Sequence, residues 1–140
     1  MKLSLCIPTF NEEENLHIAL DSAYDIADEV VIIDGGSKDR TLEIAQKYGD
    51  KIKIHEVDNP PNFLVNKQRA IEKAKGEWIL QLDADEAVSP ELKQEIVTLL
   101  NGSIANNVTI EQFSHQPSGY YLPRKNYFLG QYLMKGGVYP

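Results

Sequence analysis

The chain has 140 residues and a formal net charge of −7, from 14 basic and 21 acidic side chains. That length supports one domain or part of one, with enough core to fold without disulfides, and excludes a second full domain. With 42% hydrophobic and 25% charged residues, the composition excludes the disordered, collagen-like and membrane-spanning classes, and the acidic balance excludes a general attraction to nucleic acid or anionic lipid.

The first predicted element is a buried strand at Leu3 to Ile7, closed by Pro8. This apolar stretch is too short for a signal-peptide core or a membrane span, and the single cysteine, Cys6, has no internal partner, so a cytoplasmic protein is expected. The tripeptides at Asn101 and Asn107 that match the glycosylation pattern then carry no weight. Leu16, Ala19, Leu20 and Ala23 recur at helical spacing, and Val30 to Ile33 is a β-branched run closed by Asp34-Gly35-Gly36. A second helix is predicted from about Asp39 to Tyr48, with Ser37 or Asp39 as its cap and Gly49 as its stop. Ile52 to Val57 alternates like a half-buried strand, and Asp58-Asn59-Pro60-Pro61-Asn62 is a loop. Phe63, Ala70, Ile71 and Ala74 mark a helix ending at Gly76, and Trp78 to Leu82 is the next strand. Ser89-Pro90-Glu91 combines a hydroxyl cap, a first-turn proline and an acid, and starts a helix that Gly102 ends. Residues 103–119 read as loop, and Tyr120 to Pro123 as a strand. Strands alternating with helices predict an α/β fold: a Rossmann-like, mostly parallel sheet with helices on both faces.

Ligands of such sheets sit outside the carboxyl ends of the strands. Three of these ends are polar here: Pro8 to Glu12, Asp34 to Asp39, and Asp83 to Glu86. Polar strand ends above apolar strand bodies point to one shared site. In extended backbone residues i and i+2 face the same way, so Asp83 and Asp85 would present two carboxylates to one ligand. Hard oxygen donors suit Mg²⁺ or Mn²⁺, and Mg²⁺ is often held by one or two carboxylates plus substrate phosphates. Capping of the following helix is the plainer role for such acids. A calcium-binding EF-hand loop is excluded, because Ala87 and Val88 occupy the positions that need an acid or amide and a glycine. A haloacid-dehalogenase phosphatase is disfavoured by Ala87 and by the late position of the motif.

The Asp34-Gly35-Gly36-Ser37 turn has little side-chain bulk, so a base or ribose can approach its backbone while Asp34 accepts hydrogen bonds; an ordinary strand-to-helix turn reads the same way. No Gly-x-Gly-x-x-Gly or Walker A sequence is present. Lys67, Gln68 and Arg69 lie on the helix before the Asp-x-Asp strand, where a cation reaches a phosphate or sugar or simply faces water. His17, His55 and His115 lack metal-ligand spacing and read as surface or packing residues, and Trp78 and Phe63 as core.

Three segments, Cys6-Ile7-Pro8-Thr9-Phe10-Asn11-Glu12-Glu13-Glu14-Asn15-Leu16, Val31-Ile32-Ile33-Asp34-Gly35-Gly36-Ser37-Lys38-Asp39-Arg40-Thr41 and Ala74-Lys75-Gly76-Glu77-Trp78-Ile79-Leu80-Gln81-Leu82-Asp83-Ala84-Asp85-Glu86, resemble in order and spacing the successive motifs of family 2 glycosyltransferases. Trp78, the Asp83-Ala84-Asp85-Glu86 ending and the stretch from Arg124 to Gly130 are more similar to the branch that adds sugars to lipopolysaccharide core. The resemblance implies a GT-A fold, a nucleotide-diphosphate sugar donor (a UDP-sugar foremost), a saccharide or lipid-linked acceptor, a divalent metal (Mg²⁺ or Mn²⁺), and transfer with inversion at the anomeric carbon. By the same resemblance Pro8, Thr9 and Glu12 would line the nucleoside pocket, with Gly36 beside them, and Asp34 would bind the base. Asp83 would touch ribose or sugar, Asp85 would ligate the metal, and Lys67 would be a further donor contact. Residues 1–140 then read as a single nucleotide-sugar-binding domain with an incomplete acceptor half and no identified general base, peripheral to the inner face of a membrane where the acceptor is a lipid. Two other readings stay open at this point: a nucleotide-binding or assembly module without transfer activity, and a sugar-phosphate nucleotidyltransferase, whose Gly-rich phosphate loop is absent here.

Overall fold

Apolar residues that fill both faces of a strand need helices on both sides of the sheet, and the computed structural model, which describes residues 2–62, 64–101, 119–123, 126–128 and 131–133, has that arrangement. The chain divides into two compact units, Met1–Ala105 and Asn106–Pro140. In the first, β1 (Leu3–Thr9), α1 (Leu16–Ala23), β2 (Glu29–Asp34), α2 (Thr41–Gln46), β3 (Ile52–Glu56), α3 (Leu64–Lys73), β4 (Trp78–Gln81) and α4 (Pro90–Leu100) follow in order. The four strands form a parallel sheet in the order β3-β2-β1-β4. Ser4 pairs with Glu29 and Thr9 with Asp34, so β1 and β2 end level with each other, while Cys6 pairs with Gln81.

The side-chain period of two splits the core. Leu5, Ile7, Val30 and Ile32 face one way, with Leu16 and Leu20 of α1, Ala45 of α2 and the partly buried Leu92, Ile96 and Leu100 of α4. Cys6, Val31 and Ile33 face the other way, against Ala70 of α3. Burial of the Cys6 thiol, with Glu29 adding to it, pushes its pKa up to about 12, so it is an inert packing residue. Trp78 is partly buried against the first cluster, His17 is exposed and His55 half-buried.

Local chemistry accounts for most helix ends. Ser89 accepts the Leu92 amide at 3.2 Å and Pro90 opens α4, as the sequence predicts. The expected second helix is shorter than its periodicity, because Asp39 accepts the Thr41 amide (3.0 Å) and the cap position falls to Arg40. Gly49, at φ 108, reverses the chain after α2 in the left-handed region where glycine carries no steric penalty. At the carboxyl end of α1, Lys51 Nζ donates to the carbonyls of Tyr24 and Ala27 and lies 4.9 Å from the Tyr24 ring centre.

Within the second unit β5 (Asn126–Phe128) and β6 (Gln131–Leu133) form an antiparallel pair. Residues 120–123 are exposed and are not in a strand, contrary to the sequence expectation; Pro123 lacks the amide that a ladder needs. The short β5 and β6 were not anticipated, since three residues are too few to show alternation. Phe63, Gly102, the segment 103–118, His115, Arg124, Lys125, Leu129, Gly130 and residues 134–140 lie outside the described residues.

Candidate functional site

In a sheet ordered β3-β2-β1-β4, the chain reverses its direction of growth between β1 and β4, and the crevice lies outside the carboxyl ends of those two neighbouring strands. The sequence candidates gather at that end: Pro8 and Thr9 close β1, Glu12 lies in the β1–α1 loop, Asp34 closes β2, and Asp83 and Asp85 follow β4. A cleft of about 440 Å³ between α1 and α4, lined by Asp21, Asp25, Val88 and Lys93 among others, contains none of them.

Asp34 is fully buried. Thr9 Oγ1 (3.0 Å) and Ser37 Oγ (2.5 Å) donate to its Oδ1, and the amides of Gly36 (2.9 Å) and Ser37 (2.8 Å) donate to its Oδ2. A carboxylate has about four acceptor directions, and Asp34 directs them at the end of β1 and at its own turn. In this structure it shapes that turn. Gly36, at φ 84, adopts the left-handed conformation that the turn requires. Above Gly35 there is no room for a side chain, because a Cβ there would stand 2.9 Å from the Asn59 Cβ.

The β1–α1 and β2–α2 loops are laced together. Asn11, itself left-handed at φ 56, donates its amide to Ser37 Oγ (2.8 Å) and accepts the Lys38 amide on Oδ1 (2.8 Å). The Glu12 amide donates to Thr41 Oγ1 (2.8 Å), and the Glu13 amide to Asp39 Oδ2 (3.0 Å). Arg40 donates its amide to Glu13 Oε2 at 3.0 Å. Burial acts to raise the Asp39 carboxyl, but the donors from Thr41 and Glu13 outweigh it and hold it below its ordinary range. Sequence reasoning placed Asn11, Ser37 and Asp39 in the polar strand ends, with Ser37 and Asp39 also as candidate helix caps, but did not foresee that Asn11, Ser37, Asp39 and Thr41 tie the two loops together; the density of short polar side chains in both loops was the available signal.

After β4 the chain does not stay extended. The strand stops at Gln81, and the Glu86 amide donates to the Asp83 carbonyl (3.0 Å), closing a turn over Ala84 and Asp85. The parallel-carboxylate argument from strand geometry therefore fails. What keeps both acids off the core is Ala84, which is buried between them. Glu86 Oε2 accepts the Asp83 amide at 3.0 Å, so Glu86 braces the turn. Lys67 Nζ, on α3, stands 2.6 Å from Asp83 Oδ1 and 2.8 Å from Oδ2, with both side chains largely sheltered. Asp85 is exposed. Among the described residues no three His, Cys, Asp or Glu side chains converge as a metal cage. Asp85 offers one exposed carboxylate, a hard oxygen donor of the kind that suits a divalent ion shared with substrate phosphates. Arg69, the other basic candidate on α3, pairs with Asp58 (2.7 Å) and donates to Asn66 Oδ1 (2.9 Å), tying down the loop before α3.

The chain is similar to known proteins over most of its length. The family described as Glycosyl transferase family 2 matches residues 4–137. A glycosyltransferase of Rickettsia bellii is 38% identical over 97 residues, covering 68% of this chain and 31% of its own length. A cholesterol galactosyltransferase of Borreliella burgdorferi is 30% identical over 114 residues, covering 78% of this chain and 31% of its own length. The chain thus spans about a third of the length of these relatives. Among solved structures, residues 1–349 of S. aureus TarS in complex with UDP-GlcNAc superpose with a TM-score of 0.60 at 29% identity, over 73% of this chain and 32% of that one. A glucosyl-3-phosphoglycerate synthase of Mycobacterium tuberculosis, crystallised with Mn²⁺ and UDP-glucose, shares the fold with a TM-score of 0.57 at 23% identity, over 72% of this chain and 40% of that one.

Proposed function

The chain belongs to glycosyl transferase family 2 and has the GT-A fold, and from that premise we propose that it carries the donor site of an inverting transferase that moves a sugar from a nucleotide diphosphate to an acceptor hydroxyl. The observation that carries the reading is the Lys67–Asp83 pair beside the exposed Asp85, at the carboxyl end of β4 and next to the β1 strand end. The complex of TarS with UDP-GlcNAc supports a uridine donor.

In this reading Pro8, Thr9 and Glu12 line the nucleoside pocket, and the bare backbone at Gly36 admits the base or ribose. Asp34 acts through the turn that it holds. Asp83, oriented by Lys67, accepts from a ribose or sugar hydroxyl. Lys67 also adds positive charge near the diphosphate. Asp85 would hold Mg²⁺ or Mn²⁺, which when bound supplies Lewis-acid stabilisation of the departing diphosphate. Inversion requires the acceptor oxygen to approach the anomeric carbon from the face opposite the diphosphate, with its proton passing to a base outside the residues assigned here. The acceptor is a saccharide or lipid-linked hydroxyl, reached from the cytoplasmic side. No helix among the described residues is long and apolar enough to cross a membrane.

Calorimetric titration of UDP and GDP, with Mn²⁺ and then with EDTA, tests the reading on the wild type and on Asp85→Ala. Binding of UDP in Mn²⁺, weakened at least about tenfold by EDTA or by the substitution, is expected. Equal binding with and without metal would remove Asp85 from its role, and no binding of either nucleotide would sink the donor site.

A further inference from the structure

Two hydroxyl groups in the β2–α2 segment make the same unusual bridge. Ser37 Oγ accepts the Asn11 amide (2.8 Å) and donates to Asp34; Thr41 Oγ1 accepts the Glu12 amide (2.8 Å) and donates to Asp39. Each hydroxyl thereby passes the hold of a fixed carboxylate on to a backbone amide of the β1–α1 loop. The two carboxylates are themselves fixed, Asp34 by Thr9 and two loop amides, Asp39 by the amides of Glu13 and Thr41. The loop they hold is not one that would settle there unaided. Asn11 sits in the left-handed region while largely exposed, so burial does not compensate its conformation. The Asn15 side chain also donates to Glu12 Oε2 at 2.9 Å, which sets the carboxylate relative to the start of α1.

We propose that Thr41 and Ser37 are positioning residues for the nucleotide pocket, acting through the Glu12 and Asn11 amides to hold the β1–α1 loop in its binding conformation before the nucleotide arrives. The proposal rests on the donor-site reading above and deepens it. Its physical content is pre-organisation: a loop already ordered does not have to be ordered at the expense of affinity. Thr41 suits the role because it is fully buried and out of reach of any ligand, so its effect must be transmitted.

The test uses the full chain, Mn²⁺ and UDP. Thr41→Val keeps the shape and removes both hydrogen bonds; Thr41→Ser keeps them; Ser37→Ala repeats the test at the second bridge and serves alone if Thr41→Val does not fold. Amide hydrogen exchange at Glu12 and Asn11 reports the loop, calorimetry reports affinity, and Ser4→Ala, at the opposite end of the sheet, controls for lost stability. The expected result is faster exchange at Glu12 in Thr41→Val with UDP bound about tenfold more weakly, affinity within about twofold of wild type in Thr41→Ser, and unchanged affinity in the less stable Ser4→Ala. Wild-type affinity in Thr41→Val and Ser37→Ala overturns the positioning role and leaves the donor site standing. A wild type that binds no UDP overturns the donor site and the positioning role with it.

Discussion

Glu29 and Asp34 stand at opposite ends of β2, both buried and both fully engaged, and they do different work. Glu29 Oε1 accepts from Ser4 Oγ and from the Lys75 amide, each at 2.6 Å, while the Gly76 amide donates to Ser4 Oγ at 2.7 Å. A Cβ on Gly76 would stand 2.7 Å from the Ser4 amide nitrogen, so the chain passes there only as glycine. Burial acts to raise the Glu29 carboxyl, but these donors outweigh it and hold it below its ordinary range. Its stabilising contribution is therefore present above the unfolded value and is lost as pH falls through the lowered folded one. Glu29→Gln is expected to lower stability by about 1–3 kcal/mol at neutral pH. In urea melts the gap to wild type should narrow as the pH drops below the ordinary carboxylate range; a gap that stays constant into acid would mean that the charge itself contributes nothing. Acids at strand ends are conspicuous in a sequence, which is why Asp34, Asp83 and Asp85 were legible as candidates. The roles of the Ser37 and Thr41 hydroxyls were not, because the density of short polar side chains marks the two loops but does not say which hydroxyl meets which amide.

Among the elements, α4 depends most on its ends. It has no fully buried residue, and Leu92, Ile96 and Leu100 are only partly covered, so the Ser89 cap is a large share of what defines where it begins. Ser89→Ala should cost about 1 kcal/mol and lower the midpoint of thermal unfolding by a few degrees, read by circular dichroism; no shift would mean that Pro90 and the Val88–Ser22 bond, at 3.0 Å, already fix the start. The start of α4 was readable because Ser89, Pro90 and Glu91 are contiguous in sequence. The end of β4 was not, because the turn over Ala84 and Asp85 is set by Ala84 packing into the core and by Glu86 reaching back to Asp83.

At the scale of the whole first unit, the sheet keeps two polar networks apart. The Ser4–Glu29–Gly76 cluster ties the amino ends of the strands, and the laced loops occupy the carboxyl ends, so stability and ligand affinity should respond to different substitutions. The parallel α/β class followed from alternating strand and helix patterns, but the order β3-β2-β1-β4 did not, since pairing partners distant in sequence leave no local mark. That order also bears on synthesis. Of these four strands β1 is made first and is an inner strand of the sheet, and its second neighbour, starting at Trp78, is made long after β2. Until then β1 has a bare edge of unpaired amides and carbonyls between its apolar faces, the kind of surface that recruits other chains. A chain ended before Trp78 should therefore self-associate, seen as light scattering on dilution from denaturant, whereas one extended through Leu100 should stay dispersed; β4 would then act as the strand that closes an aggregation-prone edge.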